Sequence, residues 1–66
     1  MTLREEYESD LIRHNENIAL GIDHWTRVFR DNRDAARVFL DNERRLRDDL
    51  TIQLFYFDVE EGGEQP

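Results

Sequence analysis

Apolar side chains recur at alternating steps of four and three residues between positions 11 and 50, which is the spacing of a helical heptad seam. The columns beside this seam are also partly apolar, so the stripe is wider than a two-stranded coiled coil needs and favours a bundle. The opposite columns are mostly charged. We therefore predict a mainly α fold, with a helical core of Leu11, Ile18, Ile22, Trp25, Phe29, Phe39, Leu46 and Leu50.

The chain has only 66 residues and no cysteine. A monomeric core would be marginal at this length, and disulfide bonds are excluded, so oligomerisation is the remaining source of stability. Thr2 and Glu5 fit a capping box, which predicts that a helix begins at the amino terminus. We expect one helical oligomerisation domain over residues 1–59 and a flexible acidic tail over residues 60–66.

Polar residues interrupt the seam near its middle. Asn32 occupies a seam position beside Asp31, and residues 31–34 are typical of a turn followed by a helix N-cap, with Asp34 close to the first amides of the new helix. This pattern favours two antiparallel helices, because a short chain buries a broad stripe by folding back. Gly21 is a second candidate for the break. A third interpretation is one long coiled-coil helix, since Arg–Asp pairs four residues apart straddle residue 31.

After Leu50 the composition changes to a dense run of β-branched and aromatic residues at positions 51–59, which predicts a single β-strand. No other segment predicts a strand, so its partner would come from a second copy or, by strand addition, from another protein. The alternative is that residues 51–57 extend the helix. The expected interface comprises Ile52, Leu54, Phe55, Tyr56 and Phe57 of the strand, with Trp25, Phe29 and Phe39 on the seam.

Charge is unevenly distributed along a chain whose formal net charge is −7. All nine basic residues are arginine, and seven of them lie in residues 27–47, between two acidic ends. This distribution favours antiparallel self-association. Because Arg30, Arg37 and Arg44 repeat every seven residues, nucleic-acid binding by the Arg-rich middle is one alternative. The other is a small acidic inhibitor of phage type that mimics nucleic acid.

The sequence contains no recognisable set of catalytic or metal-binding residues. Asp10 and His14 lie four residues apart, but two ligands are too few for a metal site. Ser9 has no base at a recognisable spacing, and the acidic clusters lack the apolar surroundings that would raise a carboxyl pKa. We therefore expect a protein that is not an enzyme and holds no metal or cofactor.

No apolar run approaches the ~20 residues of a membrane-spanning helix, and the amino terminus has no signal-peptide pattern. We therefore expect a cytoplasmic protein with no membrane partner. The lack of lysine is typical of a GC-rich genome or of a salt-rich cytoplasm, and a phage or archaeal source is a working hypothesis. The sequence as a whole predicts a non-enzymatic, homo-oligomeric module for protein–protein interaction, acting as an adaptor, scaffold or assembly element.

Overall fold

A computed structural model describes the backbone of residues 2–62 and the side chains of residues 2–60. Two α-helices occupy most of this range, α1 at Leu3–Val28 and α2 at Arg33–Gly62. They pack against each other as an elongated antiparallel hairpin with extents of 54 × 20 × 14 Å. The prediction of a mainly α helical hairpin is confirmed.

The amino terminus of α1 is closed by the predicted capping box. The Thr2 hydroxyl accepts a hydrogen bond from the backbone N–H of Glu5, and the Glu5 carboxylate accepts one from the backbone N–H of Thr2, both at 3.2 Å. Glu5 and Glu6 also place negative charge in the first turn, where it stabilises the helix dipole. Local chemistry therefore determines where α1 begins.

The helix α1 is kinked at Gly21, the second of the two predicted break points. Gly21 has φ 85° and ψ 168°, a backbone conformation that is essentially restricted to glycine. The indole N–H of Trp25 donates a hydrogen bond of 2.7 Å to the carbonyl of Asn17, across the kink. The helical conformation is therefore interrupted at Gly21, and the last turns of α1 form a second helical segment.

The chain reverses direction in residues 29–32, as predicted from Asp31 and Asn32. Arg30 and Asp31 both have positive φ, at 57° and 64°, and the Asp31 N–H bonds the Thr26 carbonyl at 2.7 Å. Asn32 is the residue that caps α2, because its side-chain oxygen accepts a hydrogen bond of 3.0 Å from the Ala35 N–H. Asp34 lies in the first turn of α2.

The predicted β-strand over residues 51–59 is wrong, because this segment continues α2 as a helix. A helix satisfies its backbone hydrogen bonds internally, so the segment needs no pairing partner. In the helical conformation, Leu54 and Phe57 lie on the face of α2 that packs against α1. The Phe57 ring contacts the Tyr7 ring edge to face, with the ring centroids 5.7 Å apart. The Arg4 guanidinium binds Asp58 at the same end of the hairpin. Strand addition is therefore not available to residues 51–59 in this fold.

The helix α2 also extends beyond the expected domain boundary at residue 59, to Gly62. The remainder of the predicted tail, residues 63–66, lies outside the described residues.

The core is a single row of side chains between the two helices. Ala36 and Leu40 of α2 are its buried apolar residues among those described. Most of the predicted core residues are only half-buried, and Leu46 is exposed. The half-buried members of the predicted core are Leu11, Ile18, Ile22, Trp25, Phe29, Phe39 and Leu50.

Candidate interaction surface

The most apolar exposed feature of α2 is a stripe near its carboxyl end, formed by Ile52, Phe55, Tyr56 and Val59. Each of these side chains is between 46% and 62% exposed. Their spacing of i, i+3, i+4 and i+7 places all four on one face of the helix. The Phe55 and Tyr56 rings contact each other edge to face, with centroids 5.9 Å apart. We call this set the outer stripe.

The outer stripe lies opposite the face of α2 that packs against α1. Leu50, Leu54 and Phe57 are the half-buried residues of the same segment, and they continue the inner seam at steps of four and three. At 3.6 residues per turn, the two sets fall on opposite sides of the helix. Because the sets are opposed, α1 cannot cover the outer stripe from within the same chain.

This arrangement divides the residues that were expected to form the interface. Ile52, Phe55 and Tyr56 are exposed on the outer stripe, whereas Leu54 and Phe57 face α1. Val59 belongs to the outer stripe but was not singled out from the sequence. The helical spacing of residues 52, 55, 56 and 59 is the signal that identifies it.

The aromatic residues expected at the seam interface are used inside the hairpin. Trp25 and Phe39 have ring centroids 4.4 Å apart, and Phe29 lies 5.6 Å from Phe39 and 6.4 Å from Trp25. All three are half-buried, at the end of the hairpin where the chain turns. Their packing joins the last turns of α1 to the first turns of α2.

A polar cluster lies in the middle of the helix–helix contact. Glu43 occupies a seam position on α2 and is only 6% exposed. One oxygen of its carboxylate contacts the Nδ1 atom of His14, and the other accepts a hydrogen bond of 3.3 Å from the Asn17 amide. Sequence analysis did not identify this cluster, although a glutamate at a seam position was the available signal.

The arginine column expected from the heptad spacing is broken by the turn. Arg30 lies in the turn with positive φ, so it does not share a helix with Arg37 and Arg44. Arg37 and Arg44 line an open cavity of about 180 Å³, and Ile22 and Leu40 contribute apolar surface to it. The Arg44 Nη1 atom also lies 3.5 Å from the Oδ1 atom of Asp41.

Metal-binding geometry is not formed by the described residues. No group of three or more His, Asp or Glu side chains within residues 2–60 could hold a metal ion. Asp10 and His14 make separate contacts, with Arg13 and Glu43 respectively. Neither helix, over its described part, has the length and apolar character needed to cross a bilayer.

Comparisons with known proteins do not assign a family to this chain. No protein-family model, curated protein or solved structure matches it.

Proposed function

We propose that this protein is a non-enzymatic module for protein–protein interaction that acts by associating with further copies of itself. The observation that carries this proposal is the imbalance between buried and exposed apolar residues. Only Ala36 and Leu40 are buried apolar residues within the described range, whereas ten large apolar side chains there are exposed. A large part of the apolar side chains in the described range is therefore available to a partner.

Physical chemistry supports self-association over an independent monomer. Fully burying one large apolar side chain stabilises a fold by about 1.5–3 kcal/mol, and this hairpin buries few of them completely. Small domains without disulfide bonds or metals commonly gain the missing burial by oligomerisation. A second copy offers the same apolar surface and is always present at the same concentration.

Size-exclusion chromatography with light scattering on the full chain tests this proposal. We expect a defined mass at twice the 8.0 kDa of the single chain, or at a higher multiple. A mass that stays at the monomer value up to millimolar concentration would refute self-association.

Nucleic-acid binding is a second candidate, favoured by the two arginines on one exposed face of α2. Arg37 and Arg44 are seven residues apart on this helix, and Arg37 forms no ion pair with any residue of the described range. Against it, the net charge of −7 opposes approach to a polyanion.

An electrophoretic mobility shift at low salt decides this second candidate. Arg37→Glu should abolish any shift of RNA or DNA, whereas Arg13→Glu on α1 should leave it unchanged. Equal binding by the wild type and the Arg37→Glu variant would remove this face of α2 from consideration.

A further inference from the structure

We propose that the open cavity beside Arg37 and Arg44 is a binding site for a small organic carboxylate that carries a short apolar group. The cavity has a volume of about 180 Å³ and is lined by residues of both helices. Ile22 comes from α1, and Arg37, Leu40, Asp41 and Arg44 come from α2. This site goes beyond the proposed function, because it does not depend on association between copies.

The positive charge of the cavity comes from two exposed arginines. Arg37 and Arg44 are seven residues apart, which is about two turns of α2. Arg37 forms no ion pair with any residue in the range 2–60, whereas the Arg44 guanidinium lies 3.5 Å from the carboxylate of Asp41. One positive charge of the lining is therefore left without compensation, and it matches a ligand with a single negative charge.

The apolar part of the lining comes from Ile22 and Leu40. Ile22 is half-buried and Leu40 is only 3% exposed, so Ile22 has the larger accessible apolar surface. The methylene groups of the two arginine side chains add apolar surface next to their charged ends. A ligand that joins an anionic group to an apolar group contacts both parts of this lining, whereas an inorganic anion contacts only one.

The charge and size of the site favour a small carboxylate. A carboxylate carries one charge, and a planar guanidinium group donates two parallel hydrogen bonds to its two oxygens. The cavity is smaller than the roughly 300–1,000 Å³ of sites that enclose drug-sized ligands, so a ligand with few atoms fits it. A polyanion such as a nucleic acid is less favoured, because Asp41 and the net charge of −7 repel it.

Titration of the labelled full chain with sodium benzoate at low salt, followed by NMR, tests this site. The Nε–H resonance of Arg44 is the readout. We expect a saturable shift with a Kd of about 1 mM. Acetate lacks the apolar group and benzyl alcohol lacks the charge, so each should bind at least ~10-fold more weakly than benzoate.

A pair of arginine variants locates the binding. Arg37→Gln should weaken benzoate binding by at least ~10-fold, because it removes a charged hydrogen-bond donor. Arg45→Gln is the matched control, since it removes the same charge from the exposed surface of α2 and Arg45 does not line this cavity. The control should bind benzoate like the wild type. Glutamine and arginine have similar helix propensities, so both variants should keep the fold.

Saturable binding of benzoate that depends on Arg37 and not on Arg45 supports the carboxylate site. The site is overturned if benzoate gives no saturable shift, if acetate or benzyl alcohol binds as tightly, or if the two arginine variants bind benzoate equally well. A short RNA that shifts the Arg44 resonance at lower concentration than benzoate would also overturn it and would assign this face to nucleic acid. Light scattering measures association separately, so failure of this site leaves the proposed self-association intact.

Discussion

The carboxylate of Glu43 is buried in an apolar seam. Two polar side chains of the opposite helix contact it there. His14 contacts one carboxylate oxygen and Asn17 donates to the other. A buried polar cluster of this kind adds little net stability compared with apolar side chains of the same volume. Losing one partner is costly, however, because the remaining group stays buried without compensation.

The single and double variants of this pair should therefore differ in a characteristic way. We expect His14→Leu to lower the free energy of unfolding by about 3 kcal/mol, because Glu43 would remain buried with only Asn17 as a partner. Glu43→Leu should lower it by less than His14→Leu does, because His14 and Asn17, which lose their partner, are only half-buried and can reach water. The double variant should recover most of the loss. Urea unfolding at one fixed protein concentration measures these differences. A double variant whose loss of stability equals the sum of the two single losses would show that the pair is not coupled.

Gly21 is the second residue whose chemistry determines local structure. A Cβ atom at this position would meet no heavy atom within 4 Å, so space does not require glycine here. The requirement comes from the backbone, because φ 85° with ψ 168° is a conformation that L-amino acids rarely adopt.

Substitution of Gly21 should show whether the backbone conformation, rather than lack of space for a Cβ atom, requires glycine here. We expect Gly21→Ala to lower the free energy of unfolding by about 1–3 kcal/mol. If the kink is kept, the loss is backbone strain; if the helix straightens, the loss is that of the hydrogen bond from Trp25 to Asn17. The urea midpoint reports the stability, and tryptophan fluorescence reports the environment of Trp25. A synthetic chain with D-alanine at position 21 is the control and should retain wild-type stability. An L-alanine variant as stable as the D-alanine chain would contradict the strain argument.

At the scale of the elements, the turn between α1 and α2 combines a strained residue pair with a good cap. Arg30 and Asp31 adopt left-handed backbone conformations, which cost a non-glycine residue roughly 1 kcal/mol each. Asn32 stabilises the start of α2 through its hydrogen bond to the Ala35 N–H.

Two substitutions in this turn should have opposite effects. We expect Asp31→Gly to raise the free energy of unfolding by up to ~1 kcal/mol, because glycine adopts positive φ without steric cost. Asn32→Ala should lower it by about 1 kcal/mol through loss of the cap. Chemical denaturation of both variants beside the wild type checks the two signs. If Asp31→Gly were destabilised instead, the stability lost with the aspartate side chain would exceed the backbone strain that glycine relieves.

The capping box and the turn could be predicted from sequence because each depends on residues close together in the chain. The helical state of residues 51–59 depends on a distant partner, since α1 supplies Tyr7 for Phe57 and Arg4 for Asp58. Composition rich in β-branched and aromatic residues favours a strand only when no such partner is available. The steps from Leu50 to Leu54 and Phe57 did continue the heptad seam, so the helical pattern was present beside the stronger compositional one.

The residues of the outer stripe were partly predictable from sequence, but their division between two faces of a helix was not. Ile52, Phe55 and Tyr56 were expected to contact another chain because apolar residues filled both faces of the proposed strand. In a helix, the same residues separate into an inner set that meets α1 and an outer set that does not. The pairing of His14 with Glu43 was not predictable, because it depends on the register between the two helices.

At the scale of the whole molecule, a hairpin of two helices has only one internal contact surface. Each helix therefore buries one face and leaves the other exposed, and here the exposed face of α2 carries the outer stripe. A domain of this size retains little stability beyond its conformational entropy cost, so additional apolar burial between copies has a large relative effect. If the hairpin associates with further copies as proposed, its folding and its self-association are coupled.

Thermal unfolding at a series of protein concentrations, followed by far-ultraviolet circular dichroism, tests this coupling most directly. If folding and association are coupled, Tm rises with concentration by mass action, by about 5 °C or more for a hundredfold increase. The same melting temperature across that range, with full helical signal at the lowest concentration, would show that the hairpin is stable alone and would contradict the account.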